Sequence, residues 1–138
     1  MDANQKAIAE SILSGSRVIA VVGASPNPSR PSNIVASYLI ENGFEVIPVR
    51  PNVREILGCM CYGSIEEIPC RVDVVDVFRK SEACPEIARA AVSAGAGALW
   101  LQEGIISEDA ARIAREGGLP VVADLCIKKI HEGIHGNP

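Results

Sequence analysis

Apolar residues fall along the chain in two rhythms, short continuous runs and longer stretches with apolar positions three or four apart. The continuous runs are Arg17–Val22, Phe44–Val49, Val72–Phe78, Ala98–Leu101 and Leu119–Ala123. They are too short for core helices and, as near-continuous apolar runs, read as strands buried on both faces of a parallel sheet. Helical spacing fills the gaps. Ala3–Leu13 carries Ile8 and Ile12 on one face and ends near Gly15. Ser32–Asn42 carries Ile34, Val35, Tyr38 and Leu39 and is stopped by Gly43. Ser81 is placed to cap a helix with Ile87, Ala88, Ala91 and Val92 that ends at Gly95, and Ser107 to cap one that ends at Gly117-Gly118. A last short helix starts at Asp124-Leu125-Cys126 and runs to about Ile130, with residues 132–138 expected as a frayed tail. Between the second and third runs, residues 53–63 are expected to be irregular, with one helical turn at most. Ser64-Ile65-Glu66-Glu67 then forms a capping box for a short helix stopped by Pro69.

Strand and helix alternate throughout, so the expected fold class is α/β: a Rossmann-like three-layer fold with a five-stranded parallel sheet, helices on both faces and right-handed crossovers. The expected strand order is 3-2-1-4-5, which puts a ligand outside the carboxyl ends of the first and fourth strands. Pro48 has no N–H to give to a ladder, so the second strand either ends there or lies beside an unpaired position.

The first strand, its loop and the following helix organise the rest. Gly23-Ala24-Ser25 breaks the run, and a polar arm from Pro26 to Ser32 leads into the helix. A glycine turn between a buried strand and a helix N-terminus brings backbone N–H groups and the positive end of a helix dipole together, which suits a phosphate. The loop has neither the G-x-G-x-x-G spacing of dinucleotide sites nor the G-K-[ST] of a P-loop. Where an NAD site has an acidic residue for the ribose diol, at the end of the second strand, this chain has Arg50. A cation there suits a ribose with an extra phosphate, as in NADP or coenzyme A; the plain alternative is a surface arginine.

Composition narrows the classes. The chain has 138 residues, 48% of them hydrophobic and 22% charged, as expected of one globular domain spanning residues 1–138. A formal charge of −4 and 4% aromatics argue against a nucleic-acid partner. Neither a signal peptide nor a membrane-spanning run is present, so a cytoplasmic location without membrane association is expected. Cys59, Cys61, Cys70, Cys84 and Cys126 make no C-x-x-C, and His131 and His135 stand alone in the tail, so no metal site is expected. Two readings stand for Cys126, a small buried residue or a reactive thiol at a helix start that forms a mixed disulfide with a thiol ligand.

Five segments together carry a resemblance. They are Val22-Gly23-Ala24-Ser25 with Arg30-Pro31-Ser32; Val46-Ile47-Pro48-Val49-Arg50-Pro51; Asp73-Val74-Val75-Asp76-Val77-Phe78-Arg79; Leu99-Trp100-Leu101-Gln102-Glu103-Gly104; and Val122-Ala123-Asp124-Leu125-Cys126. In this order, over about residues 14–131, they resemble the small single-domain CoA-binding proteins, which are similar to the N-terminal CoA-binding domain of the succinyl-CoA synthetase alpha subunit. The resemblance implies that Gly23, Ala24, Ser25, Arg30 and Ser32 cradle the phosphates of coenzyme A or an acyl-CoA, with Arg50 at the 3′-phosphate. It further implies that Val77, Phe78 and Arg79 border adenine and pantetheine, and that Gln102, Glu103 and Gly104 line the other wall. Cys59-Met60-Cys61 departs from the family's pattern, away from the implied site.

No Ser/His/Asp series, metal-ligand cluster or opposed carboxylate pair is present, so a binding protein without catalysis of its own is expected. The related ligases act through a phosphorylated histidine on a second domain, and neither tail histidine takes that place. The rivals are an NADP-binding redox sensor or reductase-like domain and a non-binding interaction scaffold, in which Gly23, Arg30, Arg50 and Arg79 gather at one edge by chance; the plain alternative for Arg79 and Glu103 is that they pair with each other. A homodimer or an unidentified protein partner is compatible with the chain.

Overall fold

In the computed structural model, which describes residues 3–135, the buried runs assemble into one five-stranded parallel sheet. Its strands are β1 (Val18–Val22), β2 (Glu45–Val49), β5 (Val74–Val77), β6 (Leu99–Leu101) and β7 (Val121–Val122). A two-residue hairpin, β3 (Glu55–Ile56) and β4 (Cys59–Met60), replaces the irregular segment expected between the second and third runs. Its turn is made by Leu57 and Gly58, both at positive φ, the conformation that joins paired strands in a two-residue loop. Helices α1 (Ala3–Ser14), α2 (Pro31–Glu41) and α5 (Ile127–His135) cover one face, and α3 (Cys84–Ser93) and α4 (Glu108–Glu116) the other.

The three-layer α/β expectation holds, but the strand order does not. The order is β2-β1-β5-β6-β7, so the third main strand lies beside the first and not outside the second. The outer edge of β2 has no room for it. Pro48 offers no N–H there, and the segment after the hairpin occupies the edge instead: Tyr62 donates to the Pro48 carbonyl and accepts from the Arg50 amide. The wholly buried β5 takes the centre of the sheet, with Ile19 opposite Val74 and Val22 opposite Val77. The topological switch point therefore falls between β1 and β5, as in the 2-1-3-4-5 doubly wound order, and not between the first and fourth strands.

Other local differences have equally local causes. Ser107 caps α4 as expected, accepting from the Ala110 amide at 3.1 Å. Ser81 does not cap α3; it opens a single 3-10 turn, and Pro85 inside the first turn of α3 starts the helix later. The capping box at Ser64 also yields only one 3-10 turn, Ile65–Glu67, ahead of Pro69. On α2 the buried face is Val35, Ala36 and Leu39, whereas Ile34 is 48% exposed. Helix α5 continues past Ile130 to His135, so Glu132–His135 are helical; the rest of the expected frayed tail lies outside the described residues. His131 anchors that last helix, its Nδ1 bonded to the Tyr38 hydroxyl at 2.6 Å and its ring edge-on to Phe44.

One position sets how closely β1 and β5 approach at their carboxyl ends. Gly23 sits at φ +86°, and a Cβ there would lie 2.6 Å from the Phe78 carbonyl oxygen and 3.0 Å from Cδ of Arg79. Only hydrogen fits. Gly23→Ala is expected to lose about 1–3 kcal/mol from the backbone conformation alone, with the steric conflict added, read as a fall in the urea midpoint at unchanged slope. A midpoint equal to that of the wild type would show that the turn has room to relax.

Candidate functional site

Everything that ends a strand at the switch point faces one edge of the sheet. There the chain leaves β1 through Gly23, β2 through Arg50, β5 through Phe78 and Arg79, and β6 through Gln102. Two open cavities lie on this edge, of about 570 and about 800 Å³. They share one wall, made by Gly23, Arg50 and Arg79.

The loop from Gly23 to Ser32 is held by its own polar side chains. Ser25 Oγ accepts from the Asn27 amide at 3.1 Å, and Asn27 Oδ1 accepts from the Ser29 amide and hydroxyl, each at 2.9 Å. Buried Asn33 donates Nδ2–H to the Ser25 carbonyl at 2.9 Å, tying the loop to the first turn of α2. The sequence alone does not single out Asn33, because its role depends on the chain folding back eight positions. The amides of Gly23 and Ala24 are not free for a ligand: both donate to the Val49 carbonyl, at 3.1 and 3.4 Å. Among the described residues the amides of Ser25 and Ser32 have no protein acceptor, so donors for an anion sit further along the loop than the glycine.

Cations gather around this loop. Arg50 donates from a guanidinium nitrogen to the Ala24 carbonyl at 3.2 Å, which turns its head toward the loop. Arg30, Arg50, Arg79 and Lys80 line the larger cavity, and among the described residues none of them has an ion-pair partner. Glu103, the one acidic residue of that lining, pairs with Lys129 at 3.1 Å rather than with Arg79. Opposite-charge neutralisation is thus arranged away from the loop and withheld beside it, leaving the middle of the edge cationic.

The remaining expected residues divide. Ser25, Arg30, Ser32, Phe78, Gln102 and Glu103 line the larger cavity with Gly23, Arg50 and Arg79. Ala24, Val77 and Gly104 line neither; Val77 is fully buried in the core layer under α3 and α4. Gly104 instead donates its amide to Asp124 at 2.7 Å, in the loop before α5. Gln102 is 4% exposed, and its Oε1 accepts from the Ile127 amide, so it caps α5 while lining the cavity. Half-buried Cys126 stands on the same wall. The smaller cavity adds residues that the sequence did not mark: Ser64, Ile65 and Glu66 from the 3-10 turn, and Glu86, Ile87 and Ala90 from α3. Their signal was weak because a one-turn element and an apolar helix face look like ordinary core.

His131 and His135 are not part of this edge. They share a cavity with Ser16, Arg17, Asn42 and Gly43, which precede β1 and β2 and therefore lie at the opposite end of the sheet. Burial, and then His135, hold the His131 pKa below its usual value. No group of three His, Cys, Asp or Glu side chains among the described residues is arranged to hold a metal, and no helix among them is long and apolar enough to cross a membrane.

The chain is 40% identical over 126 residues to the uncharacterized protein YneT of Bacillus subtilis (strain 168), covering 91% of this chain and 93% of that one. A hypothetical protein from Pyrococcus horikoshii OT3 superposes with a TM-score of 0.91 at 40% identity, over 95% of this chain and 92% of that one. The ADP-forming acetate–CoA ligase I of Archaeoglobus fulgidus is 27% identical over 131 residues, 88% of this chain but only 19% of the ligase. The model of one family, described as a CoA binding domain, matches residues 17–132, from the start of β1 into α5, and to that family the chain belongs.

Proposed function

We propose that this protein binds coenzyme A, free or acylated, along the carboxyl edge of the sheet and has no catalytic activity of its own. The observation that carries this is the shared wall: two cavities meet at Gly23, Arg50 and Arg79. Such a shape fits an elongated ligand with its anionic groups in the middle and a less polar group at each end. Adenosine takes the smaller cavity, between Ile65 of the 3-10 turn and Ile87 and Ala90 of α3. The diphosphate lies across the loop, against the amides of Ser25 and Ser32, the Ser32 end of α2 and the head of Arg30. Arg50 holds the 3′-phosphate where the cavities join, and a charge-assisted contact of this kind contributes about 1.5–3 kcal/mol. Pantetheine follows the larger cavity past Phe78 toward Gln102, Glu103 and Cys126, which places the ligand's thiol end on the wall that carries the protein thiol.

Calorimetric titration with CoA, dephospho-CoA, NADP and NAD tests the assignment. CoA is expected to bind tightest, with dephospho-CoA weaker by about ten- to a hundredfold for the lost contact, and Arg50→Ala to erase that preference. NADP binding without CoA binding would overturn the proposal; an intact preference in Arg50→Ala would remove Arg50 from the 3′-phosphate.

A second substitution tests the division between cavities. Ala90→Leu narrows the smaller cavity alone, so CoA affinity should fall by about tenfold or more while 4′-phosphopantetheine, which lacks adenosine, binds as before. Equal losses for both ligands, or no loss for CoA, would place adenosine elsewhere.

A further inference from the structure

Asp76 is the third residue of β5, the middle strand of the sheet, with Val21 of β1 on one side and Trp100 of β6 on the other. Strand alternation turns its side chain to the face of Val74, the layer closed by α1, α2 and α5. The residue is 0% exposed, and among the described residues neither carboxyl oxygen has a hydrogen-bond partner. An ionised carboxylate shut off from bulk solvent without a donor would cost far more than keeping the proton. Burial alone pushes its pKa well above the usual carboxylate range.

Among the described residues the surroundings offer nothing to offset a charge. Strands β1 and β6 bring no titratable side chain. On the covering helices, Tyr38 bonds to His131, Lys128 to Glu132 and Lys129 to Glu103. Lys6, Glu41 and His135 are exposed, Glu10 and Cys126 are half-buried, and buried Cys61 bonds to the Arg50 carbonyl; none of them reaches Asp76.

We propose that Asp76 is a proton-held acid at the centre of the sheet, two residues before the ligand edge, and that loss of this proton loosens the fold on the alkaline side. The inference stands whatever the ligand is. Because the folded state holds the proton more tightly than the unfolded chain, the stability it contributes is fully present below the unfolded value near ~3.9. It then declines by about tenfold in the folding constant per pH unit until the folded pKa is passed. His131 has the opposite sign, since its lowered pKa adds stability as pH rises up to ~6.5. Asp73, held below its usual value because the Val18 and Arg17 amides and Arg71 outweigh its partial burial, also gains with pH, in the acid range.

Both are unchanged by Asp76→Asn, so the ratio of variant to wild-type folding constants isolates Asp76. In urea unfolding from pH 5 to 9 the ratio should grow with pH, by about tenfold per unit, until the folded pKa is passed; a constant ratio would overturn the proposal. Should the asparagine variant not fold, carbon-13 NMR of the wild-type Asp76 carboxyl decides: a titration midpoint well above the ordinary carboxylate range supports it, and a midpoint within that range refutes it.

Discussion

The carbonyl of Phe78 comes so close to residue 23 that no side chain fits between them. This approach is what allows β1 and β5 to run side by side to their carboxyl ends and then part in opposite directions. One chain turns into the loop toward α2 and the other into Arg79. The close packing of two strand ends thus opens the sheet's edge into two cavities on either side of a single wall. Without the glycine, the turn would have to move outward, and the loop, Arg79 and the Arg50 contact with the Ala24 carbonyl would move with it.

Electrostatics then divides the molecule in a consistent way. At the edge Glu103 pairs with Lys129, and Glu66 and Glu86 line the smaller cavity, while among the described residues Arg30, Arg50, Arg79 and Lys80 around the loop form no ion pair. At the protein's formal charge of −4 this local excess of positive charge is a property of the fold and not of the composition. Immediately beneath it, the sheet holds an acid that stays neutral. The two features use the same strand: β5 buries Asp76 and two residues later begins the cationic edge with Phe78 and Arg79.

Most of the fold was legible because the strands are almost wholly buried and therefore nearly uninterrupted runs of apolar residues, and because Gly43, Gly95 and Gly117-Gly118 mark helix ends directly. The strand order was not legible, since nothing local in Val74–Val77 says which neighbour it takes; that depends on Pro48 and on Tyr62 filling the far edge of β2. The edge residues were legible as ends of strands: Gly23, Arg50, Arg79 and Gln102 come together although 79 positions separate the first from the last. What pattern could not show is how neighbouring groups use each other. The Val49 carbonyl takes the amides of Gly23 and Ala24, Gln102 turns to α5, and the second cavity depends on a one-turn helix and an apolar face of α3.

The central claim is that one elongated ligand spans both cavities across the Gly23 wall. Backbone amide chemical-shift mapping with CoA tests it most directly. Shifts are expected together at Ser25 and Ser32, at Arg50, at Ile65 and Glu66, and at Phe78 and Arg79, with the Asn42–Phe44 and His131 region at the opposite end unchanged. Shifts confined to one cavity, or centred on the His131 end of the sheet, would contradict it.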